Sequence, residues 1–402
     1  MKLMLIKNFY LAVIFTFFPV LDAMAEEYDV FYAGFSFSGN YIDKQTSAKF
    51  TDKLLNKKNS QGLDVVSASL LESLQKIKTP NYNIRYGLAD LDKGSKESIV
   101  MSVALDSESY SIEYFPITKT YANFIDMYFQ IMFYNFKSQK LIASIPFDVE
   151  ISSLSKQPFT QTQILEMIEK FYTEGLLSDS NTRVNAFHSV EKILSGFTLK
   201  DKYRFRIGVT EVNLGEKSFN SIPKKMLTNL SSLKNNFAQS LSQRLSLAES
   251  ISLVPYQEGV TLGSKMKQRF ANTDEIYEIE LPKPDFNIQL TVRGFKKVLA
   301  KTSDVSNIFL YGSYANIKIL QPDLDKVYID ARFKNANQIK IPVGIEEVDD
   351  WRKFNYSLIK LFDDFSSNIT KTSNGYLKKQ TKDTGKLKTQ LKNVADVLDK
   401  VR

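Results

Sequence analysis

Twice in this chain an apolar strand is thrown back on a second one and followed by a long amphipathic helix, and this pairing limits the fold more than any other feature. The first copy, DMYFQIMFYNFKSQKLIASIPFDVEI, runs from Asp126 to Ile151. Tyr128 to Phe136 alternates loosely around Phe129, Ile131 and Phe133, Asn135 to Gln139 reads as a hairpin loop, and Leu141 to Ile151 returns as the partner strand. The second copy spans 307–343, with its turn around Pro322 to Lys326. Neither copy carries an obvious set of reactive side chains. A strand pair used twice without them predicts sheet architecture rather than the wall of a catalytic cleft.

The rest of the chain falls into the same order on both sides. In the first half YDVFYAGFSFSG is a strand, and DVVSASLLESLQKI places Val66, Leu70, Leu74 and Ile77 on one helical face. YNIRYG is a short strand, and ESIVMSVALDSESYSIEYF is a longer one, broken near Asp106-Ser107 into two. A closing helix follows, with Thr160 or Thr162 as its cap and Ile164, Leu165, Ile168 and Phe171 inward. In the second half the matching elements are KYRFRIGVTEVNL, a helix with Phe237, Leu241 and Leu245 four apart, the strand SISLVPY, the long strand DFNIQLTVRGFKKVLAK, the hairpin, and a helix capped by Asp349 or Asp350. The expected fold class is therefore α/β (α+β, with mixed sheets). It has two similar domains, each strand–helix–strand–long strand–hairpin–helix, and a C-terminal amphipathic helix. The boundaries read 26–178 for the first domain, 179–200 for a linker helix ending at Gly196, 201–374 for the second domain and 375–402 for the tail. The halves share element order without convincing residue identity.

Residues 1–25 have the pattern of a secretory leader. Lys2 and Lys7 precede the apolar run FYLAVIFTFFPV, and Ala23-Met24-Ala25 offers small residues ahead of Glu26-Glu27, so cleavage after Ala25 is expected. The run is shorter than the ~20 residues needed for a comfortable membrane span. The expected location is the bacterial periplasm, with secretion as the alternative. The chain has no cysteine, which excludes disulfides, thiolate zinc sites and a cysteine nucleophile. A 43% hydrophobic content is that of a globular protein. Of the formal charge of +8, the tail from Gly375 onward carries +5, from seven Lys and one Arg against three Asp. The body is nearly neutral, and no broad nucleic-acid-binding face is indicated.

In layout the stretches FAQSLSQRL, ISLVPY, PDFNIQLTVRG and YANIKILQPDLDKVYID resemble the periplasmic α/β domains related to the TolB amino-terminal domain and to CsgG. SASLLESL, YNIRYG and YFQIMFYNFKSQKLIASI repeat that layout in the first half. The resemblance covers most of the chain in order and rests on generic α/β patterning. It departs from the family in lacking the lipid-anchoring cysteine of many members. It implies binding to other envelope proteins instead of catalysis.

Few residues in the chain point to chemistry. His188, the only histidine, lies in the linker segment without partners for a triad or a metal. Ser-x-x-Lys recurs, at Ser73, Ser153, Ser221, Ser264 and Ser357 among other places, with no Lys-Thr-Gly companion, which argues chance in a chain rich in both residues. The pair Gly259 and Gly263 is not a phosphate loop. The carboxylate pairs Asp90/Asp92, Asp323/Asp325, Asp349/Asp350 and Asp363/Asp364 read as turns, caps or solvated faces. A two-carboxylate hydrolase stays open, because its separation is set in space. No catalytic residue, metal or cofactor is expected.

The tail GKLKTQLKNVADVLDKVR puts Leu387, Leu391, Val394, Leu398 and Val401 on one stripe flanked by Lys386, Lys388 and Lys392. An isolated helix this short is marginal, so the stripe has to dock. The body of the protein, a partner helix and an anionic membrane surface are the three choices. The functional expectation is a non-catalytic accessory or interaction protein of a cell-envelope assembly, bound to another envelope protein through sheet edges or the C-terminal helix, and not to nucleic acid. The alternative is a secreted carboxylate-dependent hydrolase.

Overall fold

The computed structural model describes residues 28–38, 47–87, 98–115, 118–177, 183–200, 202–258, 264–271, 276–343, 348–371 and 375–402. The leader with its cleavage site, Asp90/Asp92 and Gly259/Gly263 lie outside the described residues.

In the first lobe β1 (Tyr28–Ser38) leads through α1 (Lys49–Leu54) and α2 (Val65–Leu74) to β2 (Tyr82–Arg85). Three long strands follow, β3 (Ile99–Phe115), β4 (Thr120–Asn135) and β5 (Leu141–Ser155), then α3 (Gln161–Thr173). β1 pairs in parallel with both β2 and β3, and β3–β4–β5 is an antiparallel meander. Local chemistry sets the helix starts. Asp64 accepts the Ser67 N–H at 2.8 Å ahead of α2, and Thr160 and Gln163 form a reciprocal capping box at α3. The break expected at Asp106-Ser107 is a bulge between Leu105 and Ser107 within one continuous strand.

The helix expected to end at Gly196 is present, but residues 183–200 belong to the first lobe instead of linking two domains. Past the small hairpin of β6 (Leu176–Leu177) and β7 (Arg183–Val184), α4 (His188–Gly196) packs Val190 and Leu194 into the first lobe's core beside Phe187 and Leu199.

The second lobe repeats the order. β8 (Ile207–Leu214), the short α5 (Glu216–Phe219) and α6 (Lys224–Leu227), and the long α7 (Leu230–Glu249) come first. Residues 251–257 do not form a strand of their own but make one parallel bridge, Gly208 to Val254. A Cβ on Gly208 would sit 2.9 Å from the Val254 carbonyl oxygen, so glycine permits this close approach. This bridge stands where β2 stands beside β1. After it comes the hairpin of β9 (Lys265–Phe270) and β10 (Ile276–Glu280), then β11 (Phe286–Thr302), β12 (Ser306–Gln321), β13 (Lys326–Pro342) and α8 (Asp350–Ser366), which Asp349 caps at the Arg352 N–H, 3.0 Å. β11 is parallel to β8 and antiparallel to β12, which pairs with β13. α9 (Gly375–Gln380) and α10 (Thr384–Val401) end the chain. The class is thus mixed α/β.

The lobes are joined by more than a crossover. β9 pairs with β1, Ser36 opposite Phe270, so a hairpin from the second half of the sequence completes the first sheet. Its order is β10-β9-β1-β3-β4-β5, with β2 also on β1, and the second sheet is β13-β12-β11-β8. α7 is covered on two sides. Phe237, Leu241 and Leu245 enter the second core, while Gln239 donates to the Phe129 carbonyl at 3.3 Å and Gln243 to the Asp148 carboxylate on the first sheet. Residue parity on β4 then explains its unbroken apolar run. Met127, Phe129, Ile131 and Phe133 face the first core, and Tyr128, Gln130, Met132 and Tyr134 are buried on the other side.

Candidate functional site

The meander that carries the first lobe brings three carboxylates to the seam between the lobes. Asp126 stands opposite Glu150, and Asp148 opposite Tyr128, across β4 and β5. Arg352 of α8 reaches Glu150 at 2.9 Å and Asp126 at 3.6 Å, with its guanidinium 3.4 Å from the Phe124 ring centroid. Arg244 of α7 takes both oxygens of Asp148, at 3.2 and 3.3 Å. Burial pushes the Asp126 carboxyl up to about 6. Arg352 opposes that shift, and Glu150 and Asp148 add to it. This is the spatial carboxylate cluster that a hydrolase would need. Glu150 and Asp148 are each held by an arginine, and Arg352 also reaches Asp126, which is the arrangement of a seam. Among the described residues no group of three His, Asp or Glu has the spacing of a metal site.

Beyond the seam β5 is the outermost strand of its sheet. Its outward positions follow from Ser144, whose N–H donates to Ser252 Oγ at 2.9 Å and whose carbonyl accepts the Leu253 N–H at 3.2 Å. Every second residue onward presents its backbone the same way. Pro146, which has no N–H to offer, falls on this outward series. Asp148, Glu150, Ser152 and Leu154 follow it, and no described residue bonds to their outward N–H groups. The edge is therefore capped at Ser144 by the second lobe and open from Asp148 onward.

A cleft of about 400 Å³ lies against the start of this open edge. Ile193 of α4 and the following Phe197 form one wall, Leu247 of α7 and the following Ser250 form the other, and Phe147 and Asp148 of β5 form the floor. Its size is within the range of ~300–1,000 Å³ that accepts small ligands or side chains. Leu247 is 52% exposed and Leu154 is 69% exposed.

The residues singled out in the sequence are elsewhere. Leu387, Leu391, Val394 and Leu398 are buried, with Val397 and Val401, in the second lobe's own core. Of the three docking choices the body is the one taken, and a stripe filled by its own chain is not free for a partner helix. This corrects their assignment as partner-binding residues. Lys386, Lys388 and Lys392 remain exposed on the outside of α10. His188 is exposed, 3.6 Å from Glu191. Ser357 bonds to Ser313 while Lys360 turns to Asp364, so that Ser-x-x-Lys pair does not act as a unit. Asp349 caps α8, Asp350 accepts from Tyr311 at 2.6 Å, and Asp323 pairs with Lys283. The open edge and its cleft were missed. Pro146 in an otherwise apolar strand, with charges at Asp148 and Glu150, was the signal for an edge strand.

No family model matches the chain, and no curated protein matches it. Among solved structures, a Xanthomonas campestris protein of the DUF330 family is similar at 9% identity, over 41% of this chain and 81% of its own, with a TM-score of 0.20. A Helicobacter pylori protein described as a neuraminyllactose-binding hemagglutinin homolog is similar at 14% identity, over 44% of this chain and 92% of its own, with a TM-score of 0.23. Likenesses this distant carry no argument about this chain, and neither is described as a TolB or CsgG domain.

Proposed function

We propose that this is a non-catalytic periplasmic binding protein of a cell-envelope assembly, exported with cleavage after Ala25, which accepts an extended segment of another envelope protein as an added strand on β5. The observation that carries this reading is the run of outward backbone groups from Asp148 to Leu154, unbonded to any described residue and set beside the cleft. An added strand would satisfy those groups with main-chain hydrogen bonds. One of its apolar side chains would fill the cleft against Phe147, Ile193 and Leu247 and supply specificity. The carboxylate cluster does not compete for this role, because its members are taken up by Arg352 and Arg244.

A photoreactive residue in place of Leu247 tests the proposal in intact cells. The expected result is a discrete cross-linked species that disappears when Ser152→Pro is added. That change removes one outward N–H and leaves the bonds to β4, which belong to the alternate residues, in place. A cross-link indifferent to Ser152→Pro in a variant that melts normally, or no cross-link at all, would overturn the reading.

A further inference from the structure

The second sheet has one covered face and one open face. Tyr311 bonds to Asp350, and Ser313 and Asn335 bond to Ser357, so α8 lies over that side. The opposite side carries, in cross-strand rows, Lys301–Ile308–Lys340, Val298–Leu310–Gln338, Lys296–Gly312–Ala336 and Tyr314–Lys334. It begins at the bulge where Gly294, at φ +148°, turns β11 away from β8. Beyond that bulge the three strands form an arm. Lys296, Lys301, Lys334 and Lys340 are exposed, and none is in an ion pair with a described acidic residue. Val298 is 40% exposed, and the tip adds Val305 at 72% and Val343 at 51%. The rows themselves contain no aspartate or glutamate.

We propose that this open face and tip dock on an anionic lipid surface. Three features favour that partner. The four rows beyond the bulge carry lysines and no carboxylate, so they complement anionic headgroups, with Asp304 at the tip and Asp330 below the bulge at their margins. The lysines stand on the two outer strands with Ile308 and Leu310 between them, about 10 Å across, so that aliphatic side chains meet the acyl boundary while the ammonium groups stay at headgroup level. Tyr314 is the one aromatic residue in these rows, whereas a nucleic-acid surface of this size would use aromatic platforms. α10, with its own exposed lysines, packs into the core on the other side of this sheet, so Lys386, Lys388 and Lys392 would face away from the bilayer. This inference uses a different sheet from the β5 edge and stands or falls without it.

The test is co-sedimentation of the full mature chain with vesicles of phosphatidylcholine alone and of phosphatidylcholine mixed with phosphatidylglycerol, at low and high salt. Binding is expected to the mixed vesicles only, and to weaken with salt. Lys301→Gln with Lys340→Gln should lower it about thirtyfold, at about fivefold per lysine near an anionic surface. Val298→Asp should lower it further. Lys386→Gln, Lys388→Gln and Lys392→Gln together should leave it unchanged. Melting curves check that each variant is folded, and both lysine sets are solvent-exposed, so the α10 set controls for charge removal as such. Absence of binding to the mixed vesicles, equal binding to both vesicle types, a stronger loss from the α10 set, or retention of only an oligonucleotide or a polyglutamate would each overturn the proposal.

Discussion

Glu108, a buried carboxyl, and Asp126, a half-buried one, keep protons the unfolded chain gives up. Glu108 is 8% exposed and accepts from the Thr51 hydroxyl at 2.8 Å as well as from the Phe50 and Thr51 backbone N–H groups. Burial pushes it up to about 7, against the opposing pull of those hydrogen bonds. Asp126 is pushed up to about 6. The native state therefore binds more protons than the unfolded one between the ordinary carboxyl range and these values. Stability from these groups is fully present below that window and falls as pH rises through it, by about 1.4 kcal/mol for each pH unit and each group. Glu108→Gln keeps a carbonyl oxygen for the backbone donors and removes one titration. In urea melts it should match the wild type near pH 4.5 and exceed it at pH 7; a constant difference between the two across that range would contradict the assignment. Neither carboxyl was legible in the sequence. Both sit at strand positions that alternate like solvent-facing ones. The bulge between Leu105 and Ser107 shifts Glu108 onto the core side opposite Met127, and α8 covers the face that carries Asp126.

The elements themselves were largely legible, because each needs only its own periodicity. The α7, α8 and α10 stripes are the residues that the four-and-three spacing selects, and the caps at Thr160 and Asp349 are where short polar side chains precede apolar runs. What periodicity leaves undetermined is the destination of a stripe. The tail helix shows this: its apolar face fits a partner as well as it fits the body, and the structure places Leu387 and Leu391 in the core. Leu391→Ala should therefore cost about 2–5 kcal/mol of stability. Lys388→Ala should change it by less than about 0.5 kcal/mol. Equal and small effects on the melting temperature would mean that α10 is not part of the folded body. The β9–β10 hairpin was not foreseen, since KMKQRF and IYEIE give a strand period but nothing that names β1 as their neighbour.

At the scale of the whole molecule, the repeated element order is real in space: in each lobe a parallel pair leads into an antiparallel meander closed by a helix. Independence of the halves does not follow from it. Residues 26–200 alone would lack the β9–β10 hairpin and α7, and would expose Val100, Met132 and Tyr134, which the intact chain buries with Met266 and Ile279. That fragment should lose its cooperative melt, while the full mature chain melts in one transition; a cooperative transition in the fragment would restore the picture of two separable domains. The seam that fuses the lobes also fixes what β5 can offer, because Ser252 and Leu253 cap it at Ser144 and leave it open from Asp148. The central claim is that this edge is free, and residue-resolved amide hydrogen exchange on the mature protein tests it most directly. The account predicts alternation along β5, with Asp148, Glu150 and Ser152 exchanging much faster than Val149, Ile151 and Ser153, whose N–H groups are bonded to β4. Uniform slow exchange across 148–153 would show that the edge is already covered and would contradict the account.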